Sequence, residues 1–125
     1  ADNLVNTYYE NFPDVKVFMD NIRDEADQMG GITLFTGRKW ECLPGAAYQA
    51  VNAVIQGSCA ELTGLAVIRV SNYLKNTGKG SILSIIHDEI LYSLNDESCI
   101  PEIVSRMQMT ELFDIPFLVD IDFSY

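Results

Sequence analysis

At 125 residues the chain can form one compact domain or a piece of a larger one. Hydrophobic residues make up 48 %, which excludes a disordered chain. The formal net charge of −10 excludes a protein that grips a phosphate backbone unaided, because non-specific nucleic-acid affinity comes mainly from Lys and Arg. That acidity fits metal binding, solubility or a basic partner. Cys42, Cys59 and Cys99 show neither close pairing nor metal-ligand spacing. Their odd count, with no signal peptide, predicts free thiols in a reducing compartment. No apolar run is expected to approach membrane-spanning length, since the densest stretches are broken by Ser, Gly, Lys or Asp. The expectation is a soluble, intracellular chain with no membrane partner.

Ala1-Asp2-Asn3-Leu4 reads as the interior of a helix and lacks an initiating Met. A processed or excised piece is expected, or a chain whose beginning is not shown. Leu4, Tyr8, Phe12, Val15, Phe18, Met19 and Ile22 recur at helical spacing over residues 1–29. Pro13 divides this stretch, giving a short helix to about Glu10 and a second from Pro13 to about Met29, closed by Gly30-Gly31. Residues 32–35 and 40–43 predict a small hairpin around Thr36-Gly37-Arg38-Lys39. Taken alone, Arg38 and Lys39 read as surface charges.

The longest helical pattern runs from Ala46 to about Lys75, about 45 Å end to end. Ile55, Cys59, Leu62, Ala66, Val70 and Tyr73 form its apolar stripe, while Gln49, Asn52 and Gln56 share another face. Side-chain amides both donate and accept hydrogen bonds, which suits base edges and sugars. On their own, though, the three amides read as a merely solvated face. Gly57 marks either a close backbone approach or a break.

After the loop Asn76-Thr77-Gly78-Lys79-Gly80, two extended runs, 82–86 and 90–94, flank His87-Asp88-Glu89. Branched aliphatics and Tyr92 favour strands, and the polar triplet sits where a hairpin turns. On strict alternation Leu83, Ile85 and His87 point one way, and Ile82, Ser84, Ile86 and Asp88 the other. Two adjacent carboxylates at the end of a sheet suit a divalent metal ion, although spacing alone favours a solvated acidic turn. A helix is predicted over 99–113, with Ile103, Val104, Met107 and Leu112 buried. A final strand follows near 115–121, the third member the hairpin needs. The fold class is α+β: an antiparallel sheet with helices covering most of it.

In this order Tyr9-Glu10-Asn11-Phe12-Pro13-Asp14-Val15, Thr36-Gly37-Arg38-Lys39, Leu43-Pro44, Asn52-Ala53-Val54-Ile55-Gln56-Gly57-Ser58 and Ile86-His87-Asp88-Glu89-Ile90 resemble the C-terminal part of family A DNA polymerases. Ile115-Pro116-Phe117-Leu118-Val119-Asp120 resembles the family's final strand. The resemblance implies that His87-Asp88-Glu89 is the third polymerase motif, on a palm hairpin. By the same resemblance Asp88 is a ligand of catalytic Mg2+, Glu89 a supporting group at the metal, and His87 a neighbour of the primer end. Asn52 and Gln56 would contact the minor groove of primer–template DNA, and Arg38 joins the DNA-binding set. Tyr48 stands where the family usually has Arg, Val54 where it has Pro, and the closing Gly-x-x-Trp is missing.

The activity implied is two-magnesium transfer of a deoxynucleoside monophosphate from a dNTP to a primer 3′-hydroxyl. Motifs for the fingers helix, the other palm Asp and the thumb have no match, so the chain is expected to be inactive alone. A second chain, as in a split phage polymerase, or an upstream segment would supply them, in a bacterial nucleoid or infected-host cytoplasm. Two rivals are a non-catalytic assembly or DNA-clamping subunit with a palm shape, and a small metal-dependent nuclease using Asp88, Glu89 and Asp120 or Asp122.

Overall fold

The computed structural model describes residues 2–109, 112 and 117–123. The chain divides into two compact units, residues 1–59 and 60–125. Helices and two small antiparallel sheets make up both, an α+β composition.

In the first unit α1 (Asp2–Asn11) and α2 (Pro13–Met29) meet at Phe12, whose φ of −130° and ψ of 66° leave the helical region. Pro13 imposes this break, because its ring disfavours helix at the preceding residue and its own N–H is absent. Gly30, at φ 69°, ends α2 in the left-handed conformation that a Cβ would disfavour. Strands β1 (Gly31–Thr33) and β2 (Lys39–Glu41) then pair with Ile32 opposite Trp40. Both strands are shorter than their apolar runs suggest, because a turn already begins at Leu34. There the Gly37 N–H donates to the Leu34 carbonyl at 2.8 Å.

A 3₁₀ turn, Ala47–Gln49, leads into α3 (Ala50–Thr77). Ala26, Ile32, Leu34, Ala47 and Ala50 form the core of this unit, with Ile22, Trp40 and Val54 packed on it. Ile55 and Cys59, expected on the buried stripe, are exposed; the face of α3 buried here is Ala50 and Val51. Gly57 does not break the helix. A Cβ on it would lie 2.9 Å from Leu34 Cδ1, so its role is close approach.

Ala47–Thr77 is long and apolar enough to cross a membrane by length and composition, which corrects the expectation that no stretch reaches that threshold. The reason is that Glu61 and Arg69 are its only charges before Lys75, and its breaks are Ser, Gly and amides rather than ions. One such helix carries no membrane assignment by itself.

In the second unit β3 (Gly80–Ile86) and β4 (Glu89–Leu94) form the expected hairpin, with Ile86 opposite Glu89 and Ile82 opposite Tyr92. The pairing slips between Ile82 and Ser84, leaving Leu83 as the extra residue of a β-bulge. Cross-strand partners share a face, so Ile82 and Ile85 lie on the same side with Ile90, Tyr92 and Leu94. Strict alternation is therefore corrected: the bulge rotates everything beyond it by one position.

Val70, Leu74, Cys99 and Ile103 form the second core, against which Tyr73, Ile82, Tyr92, Leu94 and Met107 pack. The Tyr92 hydroxyl donates to Met107 Sδ at 3.4 Å, and burial pushes its pKa up to about 12. A second 3₁₀ turn, Glu97–Cys99, starts α4 (Ile100–Gln108). This helix stops sooner than residue 113, with Met109 in the left-handed region at φ 43°. The final strand expected near 115–121 is absent among the described residues 117–123, and its first two residues lie outside those described. Among the described residues the second sheet therefore has two strands, and Ile86 and Leu91 on one of its faces are exposed.

Candidate functional site

At the tip of the second hairpin, His87 and Asp88 are the two turn residues and Glu89 is the first residue of β4. The triplet thus splits into turn and strand. A two-residue link requires a positive φ somewhere, and His87 takes it at 58° while Asp88 does not. That is the sign pattern of a type II′ turn, in which glycine is the usual first residue. A histidine held there is strained, and strain of this kind persists where the surroundings impose it. His87, Asp88 and Glu89 are all exposed.

The carboxylates are the hard oxygen donors that magnesium takes. Among the described residues, however, no group of three or more His, Cys, Asp or Glu is placed to hold a metal ion. The donor type fits magnesium; this chain's donor number does not. Among the described residues Asp120 and Asp122 join no such group with Asp88 and Glu89.

The first unit contains a separate constellation. A cleft of about 480 Å³ is lined by Trp40, Tyr48, Gln49, Asn52, Ala53 and Gln56. Asn52 and Gln56 are one helical turn apart on α3, whereas Gln49 belongs to the preceding 3₁₀ turn. The three amides expected on one face do converge, although the helix begins after Gln49. Gln49 Nε2 donates to the Tyr48 hydroxyl at 2.9 Å, which orients both side chains. Arg38 is exposed in the β1–β2 connection and does not line this cleft. Trp40 is the member that helical periodicity does not reveal, because it comes from β2.

The family described as DNA polymerase family A matches residues 1–124. The chain belongs to this family. DNA polymerase I of Caldicellulosiruptor bescii is 32 % identical over 135 aligned residues, covering 97 % of this chain and 16 % of that protein. DNA polymerase I of Bacillus caldotenax is 29 % identical, covering 96 % of the chain and 15 % of the relative. Among solved structures, the POL domain of Pol1 from M. smegmatis, in complex with DNA primer-template and dNTP, superposes with a TM-score of 0.77 at 27 % identity. That match covers 90 % of this chain and 22 % of the other. This family A chain therefore spans about a sixth of the length of the bacterial DNA polymerase I relatives it matches.

Proposed function

We propose that this chain is the C-terminal palm portion of a DNA-directed DNA polymerase, active once joined to the fingers, thumb and remaining palm. The family match over residues 1–124, with His87-Asp88-Glu89 at a hairpin tip, carries this reading. The reaction is attack of a primer 3′-hydroxyl on the α-phosphorus of a dNTP: one P–O bond forms, one breaks, and pyrophosphate leaves. Magnesium, when bound, favours the deprotonated hydroxyl and offsets charge on the phosphate.

This chain's part in that chemistry is placement. Asp88, fixed in a two-residue turn, offers one carboxylate to the metal site, and Glu89 supports it from the first position of β4. A two-ion site needs ions about 4 Å apart held by several carboxylates, so the remaining ligands come from outside this chain. His87 borders the primer end, and Asn52 and Gln56 meet the minor groove of the primer–template. Arg38 offers a cation to the same DNA. The −10 charge implies that most of the phosphate-binding surface also lies in the missing part.

The isolated chain is expected to give no primer extension with magnesium and dNTPs. Robust synthesis by it would refute the shared-site reading. A chimera in which the chain replaces its matched segment of the C. bescii relative should extend primers. A chimera that binds primer–template yet never extends it would favour a non-catalytic clamping subunit.

A further inference from the structure

The first unit carries a second groove, of about 440 Å³, along the small β1–β2 sheet. Cross-strand partners share a face, so Ile32 and Trp40 turn to the core, while Gly31 with Glu41 and Thr33 with Lys39 turn outward. Two apolar residues border the groove. Met29, the last residue of α2, is 79 % exposed, and Leu43, just past β2, is 78 % exposed. Glu25, Lys39 and Glu41 are its charged members, and all three are exposed. Among the described residues none of them makes an ion pair, whereas Asp20 pairs with Lys16 and Glu102 with Arg106. The groove therefore sets two unpaired carboxylates against one ammonium, in a chain of net charge −10. Such a surface repels phosphate. It lacks the three donors that hold a metal ion, and an uncharged ligand would leave its carboxylates unused. A cation carried beside an apolar side chain uses both features.

We propose that this groove docks a short basic and apolar segment of a separate partner protein. A leucine- or methionine-like side chain of the segment covers Met29 and Leu43, and an arginine beside it pairs with Glu25 and Glu41. Arginine suits the role because its planar fork meets carboxylates in pairs of hydrogen bonds. Lys39 opposes the cation and so weakens the pairing. The surface is separate from His87-Asp88-Glu89 and from the amide cleft's Asn52 and Gln56, and it stands without the polymerase reading.

The test titrates a fluorescein-labelled peptide, Ser-Leu-Arg-Leu-Arg-Ser, with the chain and, separately, with the C. bescii chimera. Anisotropy reports binding. In the isolated chain an unlabelled copy of the peptide is read by Trp40, the chain's single tryptophan and a member of the groove. The peptide should bind both proteins and change Trp40 emission. A twin peptide with serine for both leucines should bind at least about fivefold more weakly, and Leu43→Ser should do the same to the original peptide, through lost apolar burial. Glu41→Arg should weaken binding by about tenfold or more, and Lys39→Met, which removes the groove's cation, should tighten it by about twofold. These three positions are exposed, so the variants should melt within about 3 °C of the parent chain. No binding of the peptide overturns the proposal. So does binding that the serine twin matches or that Glu41→Arg leaves unchanged, since it is then general attraction to an acidic chain. Binding to the isolated chain but not to the chimera also overturns it, because the rest of the polymerase then covers the groove. Primer extension by the chimera tests the polymerase reading independently of all these outcomes.

Discussion

Asp96 shows how one side chain ties the base of the second hairpin to the helix that follows. It accepts from the Ser98 hydroxyl at 2.7 Å and the Ser98 N–H at 2.9 Å, and Lys79 Nζ lies 3.0 Å away. Those bonds, the Ser98 hydroxyl foremost, lower its pKa to about 2, and the same ion pair raises that of Lys79. A carboxyl with a depressed folded pKa stabilises the fold above its ordinary value near ~4, and that contribution disappears as pH falls through about 2. Asp96→Asn should therefore melt lower than the parent chain at pH 6, with the gap closing between pH 4 and pH 2. A thermal-melt series across that range checks it; a constant gap would contradict the assignment. His87 offers a second test at this scale. Its positive φ in a two-residue turn implies that His87→Gly relieves strain, partly offset by backbone entropy, for a net gain of about 1 kcal/mol. Denaturant unfolding measures that gain, and on the polymerase reading the chimera carrying this change should extend primers more slowly.

Among the elements, α3 and the second hairpin share the burial that matters for stability in residues 60–125. Leu74 is 1 % exposed and Val70 is fully buried, and both belong to the cluster that receives Ile82 and Tyr92 from the strands. Leu74→Ala should cost about 2–5 kcal/mol, read as a lower urea midpoint with an unchanged slope. The first two helices were legible in the sequence because Pro13 and Gly30 are local chemistry that no tertiary contact overrides. The bulge at Leu83 was not. Ile82, Leu83, Ile85 and Ile86 place apolar residues on both parities, so alternation cannot fix the register. The early end of α4 was hidden for a related reason: Met109 adopts a left-handed φ without the glycine that usually signals it.

For the whole molecule, two sites were legible to different depths. His87-Asp88-Glu89 stood out because three polar residues interrupt two apolar strands. The amide cleft was half visible, since helical periodicity links Gln49, Asn52 and Gln56 but cannot reach across to Trp40 on β2. The membrane-length helix was misread because breaks by Ser and Gly lower hydropathy less than ions do. Leu83, Ile85, Ile86 and Leu91 are each 43–65 % exposed on the hairpin, in a chain that spans about a sixth of its relatives' length.

The central claim, that Asp88 supplies a carboxylate to a shared polymerase centre, is tested most directly by primer extension with the C. bescii chimera and its Asp88→Ala variant. The substitution should leave binding of primer–template within about threefold and reduce extension by about a thousandfold or more, the several kcal/mol a metal-ligating carboxylate contributes. Extension by the variant within tenfold of the unaltered chimera would contradict it.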